Sequence, residues 1–406
     1  MLAFRRQHHQ EIATVLGGLD ATEPRITELY TKAVEQLSSD QAPVRFGGLH
    51  ALERLAQDNR AHRQTIVDVI CAYLRVPFSP TAPASKPEPE AAGGQEEPGT
   101  ESEMETDGIG GTWQQEREVR LTAQRILAEH LRDDRAKDQQ STDPPNSRFW
   151  DNIRLDLTGA TLIDFNLVNG VMADANFHRA AFSGDAWFGG ATFSGTARFG
   201  GAAFSGDALF GGAAFSAAAN FPEAAFSGDA LFGGATFSRG AVFRRAAFGG
   251  GAVFRKAIFG GGAAFGEAAF GGDAWFDKAT FSRGASFDEA AFTGDAWFGE
   301  AAFTGVAGFG EAAFGGDAWF DKATFSRGAS FDEAAFTGDA GFGEAAFTGG
   351  AWFGEATFSA GADAVHLEKA RILSPGAAHV WPTGWRLADA DGGGYTVVRA
   401  NDDGGS

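Results

Sequence analysis

The sequence predicts a mainly β repeat structure preceded by a small α-helical region, and three observations lead to this prediction. The 406 residues include 39 Phe but only 3 Tyr, together with 57 Gly. The Phe residues recur at fixed intervals from Phe177 to Phe358, and self-similarity at a fixed period is typical of repeat architectures. Helical periodicity is confined to the residues before this stretch. Glycine has no three-residue period, which excludes a collagen helix.

Residues 1–76 are predicted to form three short amphipathic helices. Thr22, Glu23 and Pro24 mark one helix start, because a capping residue precedes Pro in the first turn; another start follows Ser39 and Asp40. This pattern favours a small helical adaptor similar to HEAT or armadillo units. Apolar residues recur at helical spacing in all three helices: Ile26, Leu29, Tyr30, Ala33, Val34 and Leu37; then Val44, Leu49, Leu52, Leu55 and Ala56; then Ile66, Val67, Ile70, Tyr73 and Leu74.

Composition divides the remaining chain into four segments. Residues 77–112 contain six Pro with Glu-rich and Gly-rich runs, so we expect a disordered acidic linker there. Residues 113–148 are expected to form a helix up to residue 135 and a connector that leads to the repeats. Residues 149–364 contain the repeats, and the helix or the segment from Phe149 is expected to cover their first coil. Residues 365–406 are expected to form a capping hairpin and a tail.

The repeat unit is Ala-x-Phe, separated from the next unit by two or three turn residues. Its Phe residues alternate at spacings of five and six, as Phe177, Phe182, Phe188 and Phe193 show, and 34 of the 39 Phe lie between residues 177 and 358. Leu157, Leu162, Leu167 and Met172 precede them at a uniform spacing of five.

The repeat resembles the pentapeptide-repeat family, whose motif centres on Leu or Phe with a small residue two positions earlier. The resemblance covers residues 157–358 and implies a right-handed quadrilateral β-helix with one pentapeptide on each face. This sequence departs from the family pattern by one extra residue in every second unit.

The length of one coil follows from an Asp column, a set of seven Asp residues that fall on one 22-residue lattice. Position 251 of this lattice is Gly, and the positions midway between lattice points, such as Thr196 and Ala218, are never acidic. We therefore predict a coil of 22 residues with four faces, and about nine coils. The column comprises Asp185, Asp207, Asp229, Asp273, Asp295, Asp317 and Asp339.

The residue before each Phe is expected to point outward, and one face then carries an apolar ladder. Two interpretations stay open: the ladder docks a protein or a second copy of the chain, or it only stabilises its own sheet. The neighbouring Asp column is a solvated corner or holds a cation, although its sequence does not match a calcium-binding nonapeptide. The ladder comprises Trp187, Leu209, Leu231, Val253, Trp275, Trp297 and Trp319.

Composition and motifs argue against several classes of function. The eight His show no metal-ligand spacing, Cys71 lies in an apolar helix, and no phosphate loop or nucleophile elbow is present. We therefore expect no enzyme activity and no cofactor. The net charge of −20 disfavours direct nucleic-acid binding, and no apolar run is long enough to span a membrane as a helix.

The sequence favours a non-enzymatic scaffold that presents a rigid β-helical rod for protein–protein binding to a partner that it does not identify. The alternative is an acidic DNA mimic that binds a type II topoisomerase, as some pentapeptide-repeat proteins do. Residues 151–364 contain 24 acidic and 12 basic residues, which is compatible with mimicry. The adaptor, linker and Phe-rich array resemble actinobacterial members that often carry an upstream membrane anchor. Localisation is therefore expected to be cytoplasmic, or membrane-associated through a segment upstream of Met1.

Overall fold

Parallel pairing between short strands one coil apart builds most of this protein. A computed structural model describes residues 24–80, 104–135, 146–361, 364–390 and 395–400. The chain divides into two compact units, residues 1–129 and 130–406. The first is helical, and the second is a β-solenoid of about ten turns of roughly 22 residues.

The helical unit consists of helices α1 (Pro24–Leu37), α2 (Ala42–Asp58), α3 (Arg63–Arg75) and most of α4 (Met104–Leu131), with a 3-10 turn at Arg60–His62. Its core comes from the apolar faces that the sequence predicts, except that Leu29 is exposed and Ile26 and Val44 are only half-buried. The HEAT-like character of this unit stays a prediction.

Helix α4 begins inside the segment predicted as a disordered linker, residues 77–112, and it ends at Leu131 instead of residue 135. No Pro lies between Pro98 and Pro144, so the helix is not interrupted by a residue that lacks a backbone N–H. Residues 81–103 of the predicted linker lie outside the described residues.

A buried ionic cluster joins α2, α3 and α4 within the helical unit. The Arg120 Nε donates to Glu116 at 2.7 Å, and Arg45 lies 3.2 Å from the same carboxylate. The Tyr73 hydroxyl also donates to Glu116 at 3.0 Å, and Arg120 donates to the Leu74 carbonyl at 3.1 Å. These contacts compensate the burial of two arginines, which would be costly if either were left unpaired.

Face 1 of the solenoid is a parallel sheet of ten strands in consecutive coils. Its strands are β1 (Leu155–Asp156), β4 (Ala175–Asn176), β7 (Ala197–Arg198), β11 (Ala219–Asn220), β15 (Ala241–Val242), β19 (Ala263–Ala264), β23 (Ala285–Ser286), β27 (Ala307–Gly308), β31 (Ala329–Ser330) and β35 (Ala351–Trp352).

Faces 2 and 3 share one sheet because strands β2 (Thr161–Asn166) and β5 (Ala181–Trp187) run through both. Face 2 continues with β8 (Ala203–Phe204), β12 (Ala225–Phe226), β16 (Ala247–Phe248), β20 (Ala269–Phe270), β24 (Ala291–Phe292), β28 (Ala313–Phe314), β32 (Ala335–Phe336) and β36 (Thr357–Phe358). Face 3 continues with β9 (Ala208–Leu209), β13 (Ala230–Leu231), β17 (Ala252–Val253), β21 (Ala274–Trp275), β25 (Ala296–Trp297), β29 (Ala318–Trp319), β33 (Ala340–Gly341) and β37 (Val365–His366).

Face 4 is the third sheet, and its last two strands form the C-terminal hairpin. Its strands are β3 (Val171–Met172), β6 (Thr192–Phe193), β10 (Ala214–Phe215), β14 (Thr236–Phe237), β18 (Ile258–Phe259), β22 (Thr280–Phe281), β26 (Ala302–Phe303), β30 (Thr324–Phe325), β34 (Ala346–Phe347), β38 (Arg371–Ile372), β40 (Tyr395–Arg399) and β39 (Trp385–Asp389).

The strand register confirms the predicted coil of roughly 22 residues. Ala214 pairs with Thr236, and Trp275 pairs with Trp297, in each case one full coil further along the chain. Successive coils therefore lie about 4.8 Å apart, and each central Phe lies above the Phe of the next coil. The first coil is shorter, because Leu155 pairs with Ala175.

Four corners join the faces, and they explain the alternating spacing of the Phe residues. Corners 1 and 3, which follow faces 1 and 3, are tight turns with one residue at positive φ, such as Glu289 (φ 59°) and Lys278 (φ 58°). In corner 1 the Ala290 N–H closes such a turn onto the Phe287 carbonyl at 3.0 Å. Corners 2 and 4 have one residue more, which produces the spacing of six.

The interior is filled by Phe rings in two kinds of contact. Rings one coil apart stack, as in Phe276 and Phe298, whose centroids lie 4.9 Å apart at 2° between planes. Rings on faces 1 and 3 meet edge to face across the axis, as in Phe276 and Phe287 at 5.2 Å and 86°. These aromatic geometries are the favoured ones, and the rings are buried along most of the array.

Both ends of the solenoid are covered. At the N-terminal end, His130 stacks on Trp150 with centroids 3.9 Å apart, and the Asp133 N–H donates to the Asn169 carbonyl. At the C-terminal end, Trp381 lies 6.1 Å from Phe353. The hairpin β39–β40 pairs antiparallel with β38. These contacts keep the end coils from presenting open sheet edges.

The solenoid continues beyond residue 364, where the sequence predicts that the repeats end. Ala340 pairs with Val365 and Ala346 with Arg371, an offset of 25 instead of 22. The break after Phe358 is therefore a longer coil with three additional residues. Leu367 and Ile372 are both buried in this coil.

Replacement of Tyr30 by Phe is expected to stabilise the helical unit by about 1 kcal/mol, because a buried hydroxyl without a partner costs free energy. Among the described residues the Tyr30 hydroxyl has no hydrogen-bond partner. Burial, with a smaller contribution from Asp68, raises the pKa of Tyr30 to about 12. A folded pKa above the unfolded value makes the wild type lose stability as the pH rises from about 10 to 12, and Tyr30→Phe should reduce this loss.

Urea unfolding followed by far-UV circular dichroism at about pH 8 and about pH 11 measures both effects. Tyr73→Phe is the matched control and should destabilise the unit, because the Tyr73 hydroxyl donates to Glu116. Equal effects of the two substitutions would contradict the assignment.

Candidate interaction surface

The Asp column lies at corner 2 and forms a chain of hydrogen bonds along the solenoid. The Asp185 Oδ1 accepts the Asp207 N–H at 2.9 Å, and the Asp207 Oδ1 accepts the Asp229 N–H at 2.9 Å. The same contact recurs between Asp273 and Asp295 at 3.0 Å, and it continues through Asp317 to Asp339. The Asp229 carboxylate likewise accepts the Gly251 N–H. The carboxylates of the column from Asp185 to Asp317 thus each satisfy a corner N–H of the following coil, which is one of the backbone groups that must be paired when it is buried.

This geometry gives a structural reason for Asp at the corner. The Asp carboxylate is joined to the backbone by a single methylene group, and at this length it reaches the backbone N–H of the next coil, about 4.8 Å away. The hydrogen bond that it accepts there is charge-assisted. Among the described residues no group of three or more His, Cys, Asp or Glu is placed to hold a metal ion. The cation interpretation of the Asp column therefore gains no support.

The apolar ladder lies in one column of face 3, beside the Asp column. Strand pairing joins Trp187 to Leu209 and continues in register to Trp319. All seven side chains are half-buried, whereas the sequence predicts an exposed ladder. Neighbours about 4.8 Å apart cover one another, and the indoles of Trp297 and Trp319 stack with centroids 6.0 Å apart.

Two glycines, each one coil away from a Trp of the ladder, accommodate two of the Trp rings. A Cβ at Gly251 would lie 2.9 Å from the Trp275 indole, and a Cβ at Gly341 would overlap the Trp319 indole. Gly251 is the gap in the Asp column, so the Asp is missing where Trp275 covers the corner. Trp275 thus leans toward the preceding coil and Trp319 toward the following one.

A row of ion pairs at corner 3 lies on the other side of the ladder, and the sequence analysis did not identify it. Arg255 pairs with Asp277 at 3.0 Å and Lys278 with Glu300 at 3.5 Å, each one coil away. Arg255 also lies over the Trp275 ring, 5.9 Å from its centroid, which is a cation–π contact. The recurrence of opposite charges one coil apart is the signal that could have identified these pairs.

A cavity of about 860 Å³ lies beside the C-terminal hairpin. Ile372, Trp385 and Val397 form its apolar part, while Lys369 and Asp389 stand among charged lining residues of both signs. Since neither sign dominates, the cavity does not indicate a ligand class. No helix in the described part of the chain is long and apolar enough to cross a membrane.

Asp295→Ala is expected to lower the free energy of unfolding of the solenoid by about 1–2 kcal/mol, because the Asp317 N–H loses its charged acceptor. Asp295→Asn should cost less, since the amide oxygen can still accept that N–H. Glu311→Ala changes an exposed carboxylate at corner 1 and should stay within about 0.5 kcal/mol of wild type. Urea unfolding measures all three, and equal effects of Asp295→Ala and Glu311→Ala would contradict a stabilising role for the column.

The comparisons with known proteins agree with this geometry. A family model described as pentapeptide repeats (9 copies) matches the overlapping segments 171–214, 210–258, 221–269, 243–291, 265–313, 287–335 and 320–363. No curated protein and no solved structure matches the chain. The matched segments coincide with the coils whose buried Phe residues stack one above another, and the solenoid that they form belongs to the pentapeptide-repeat family.

Proposed function

We propose that this chain is a non-enzymatic scaffold whose solenoid binds a protein partner on face 3. The observation that carries the proposal is the chemistry of the apolar ladder. Leu209, Leu231 and Val253 occupy the same column as Trp275 and Trp297, so a stable ladder does not require indoles. Trp is enriched where binding energy concentrates at protein interfaces, and here its rings stay half-exposed.

The interior of the solenoid supports a role that lies at the surface. Buried Phe rings fill the space between opposite faces, as the edge-to-face pair of Phe254 and Phe265 at 5.3 Å shows. A substrate could not enter this interior without displacing rings that make contacts on all sides. The outward positions, in contrast, vary from face to face while the backbone register stays the same.

The test replaces Trp275, Trp297 and Trp319 together by Leu, the residue that this column already uses at positions 209 and 231. The fold should persist with a urea midpoint close to wild type, while binding to the partner falls about tenfold or more. Thr280→Ala with Thr324→Ala on face 4 is the matched control, because Ala302 already occupies that column.

The measurement has two steps, since the partner is unidentified. Quantitative mass spectrometry first finds a protein that is retained by wild type and by the face 4 control but not by the Leu variant. Titration calorimetry with that purified protein then gives its dissociation constants for the three chains. Equal binding by all three would overturn the assignment of face 3.

A second candidate function, DNA mimicry toward a type II topoisomerase, is favoured by the charge of the C-terminal half of the solenoid. Residues 267–361 contain 15 acidic and 4 basic residues. Exposed glutamates recur there at corner 1 in successive coils, including Glu289, Glu311 and Glu333. These carboxylates are free to imitate a row of phosphates, whereas those of the Asp column accept backbone N–H groups.

Inhibition of DNA gyrase supercoiling by the full chain at micromolar concentration tests this candidate. Mimicry predicts that Glu289→Lys with Glu311→Lys and Glu333→Lys abolishes the inhibition. The Trp-to-Leu variant should still inhibit, because it leaves corner 1 unchanged. Absence of inhibition by the wild type would rule out mimicry of DNA at gyrase and leave the scaffold proposal untouched.

A further inference from the structure

The acidic solenoid is interrupted by one basic segment that the proposed function does not use. Residues 230–266 contain no Asp or Glu, whereas residues 151–229 have eight acidic and three basic residues and residues 267–361 have fifteen and four. We call the five cations of this segment the basic belt. They lie at corners 1, 3 and 4 of neighbouring coils: Arg239, Arg244, Arg245, Arg255 and Lys256.

Corner 1 carries the sharpest change of charge along the solenoid. Arg244 and Arg245 occupy the two turn positions that hold Asp288 and Glu289 two coils later. The complete corner, coil by coil, is Thr158–Gly159, His178–Arg179, Gly200–Gly201, Pro222–Glu223, Arg244–Arg245, Gly266–Glu267, Asp288–Glu289, Gly310–Glu311, Asp332–Glu333 and Gly354–Glu355.

The basic residues at corner 1 are accessible and only partly neutralised. Arg244 and Arg245 both pair with the single carboxylate of Glu267, at 2.6 and 2.7 Å, and their side chains stay 60 and 57% exposed. Hydrogen bonds, first from Arg245 and then from Arg244, hold the pKa of Glu267 below its ordinary value. Glu223 and Glu289 also attract Arg245 electrostatically, but the two arginines share the one carboxylate with which they form ion pairs. A further carboxylate can therefore pair with them.

Face 1, which leads into corner 1, carries small outward side chains at the same coils. A groove of about 450 Å³ runs along it, lined by small side chains that include Val242, Ala264, Ser286 and Gly308, and it reaches Asp288. Arg198 and Trp352 are the larger residues of this column on either side. The middle of face 1 therefore allows another flat surface to approach closely.

We propose that a second copy of this chain packs on face 1 in antiparallel orientation, with the two-fold axis at the coil of Glu267. Arg244 and Arg245 then face Asp288 and Glu289 of the second copy, and the same contact forms again on the other side of the axis. Such an isologous contact closes on itself and forms a dimer.

The charge sequence of corner 1 favours this register over the others. At the next positions outward, Glu223 faces Glu311, which is an unfavourable pair of like charges, and farther out Arg179 faces Glu355, which is a favourable one. At the axis the two Glu267 carboxylates meet, but each is already bound by two arginines. An axis at the coil of Glu289 would instead bring the two Asp288–Glu289 pairs together. A parallel two-fold arrangement would place corner 1 against corner 4 of the second copy, so the two corner 1 rows would not meet.

A second copy fits the belt better than a nucleic acid does. The five cations of the belt lie within 18 consecutive residues, less than one coil, so the belt is about 5 Å high along the solenoid. Acidic segments lie on both sides of it. A DNA duplex aligned with the solenoid would meet those acidic segments. In the proposed register a second copy places its Asp288–Glu289 pair opposite the basic pair, and its Asp332–Glu333 pair lies opposite the uncharged Gly200–Gly201.

Sedimentation velocity of the full chain at micromolar concentration tests the proposal, which is independent of face 3. The wild type should dimerise at about 50 mM salt and dissociate toward about 500 mM, where charges are screened. Arg244→Glu with Arg245→Glu should weaken the dimer about tenfold or more, and so should Asp288→Lys with Glu289→Lys. The control, Lys278→Glu with Lys322→Glu at corner 3, changes the net charge by the same amount as the two Arg→Glu substitutions and should leave the dimer intact.

The decisive step mixes the two charge-reversed variants. In the proposed register the mixture restores both contacts, so a heterodimer should form with an affinity near that of wild type. A wild type that stays monomeric, a mixture that stays monomeric, or an equal loss in the corner 3 control would overturn the proposal. So would dimer loss in the Trp-to-Leu variant alone, or binding of a labelled DNA duplex that depends on Arg244 and Arg245.

Discussion

The stacking of each coil on the next is the constraint on which the solenoid depends. Strands of two residues contribute few hydrogen bonds each, and they are held because every coil pairs with its neighbours at the same register. The Phe rings impose that register, since the stacked geometry of Phe188 on Phe210, at 4.7 Å and 4°, requires equivalent positions in both coils. Any change in coil length must therefore be absorbed at a corner, where the chain leaves the sheet.

The separation of inside from outside follows from this constraint. Between Ala175 and Phe358 the inward positions are all Ala or Phe, because each must fit the same space in every coil. Outward positions meet only solvent and their neighbours in the column. Charge and aromatic side chains can consequently be placed coil by coil without altering the core. The change from Arg244–Arg245 to Asp288–Glu289 at corner 1 and the change from Leu231 to Trp275 on face 3 are both of this kind.

The sequence predicted the coil length and the four faces because the Asp column repeats once per full coil and not at every half coil. It could not predict why the residue is Asp, since the hydrogen bond from Asp207 to Asp185 becomes visible only when consecutive coils are in place. The directions of the Trp275 and Trp319 indoles depend on Gly251 and Gly341 in other coils. The residues of the ladder column taken alone therefore predict an exposed ladder instead of a half-buried one. The burial of Arg120 against Glu116 likewise has no signal in a helical apolar pattern.

The near-identity of residues 270–305 and 314–349 shows how such a surface can be extended. The two segments are offset by two whole coils, and they differ only at Trp297 and Gly341. Two added coils lengthen every column by two residues and leave each Phe on an equivalent Phe, so the interior tolerates them. The single difference falls on face 3, where Gly341 makes room for the Trp319 indole. The Trp portion of the ladder therefore ends where the stacking of its own rings requires a residue without a side chain.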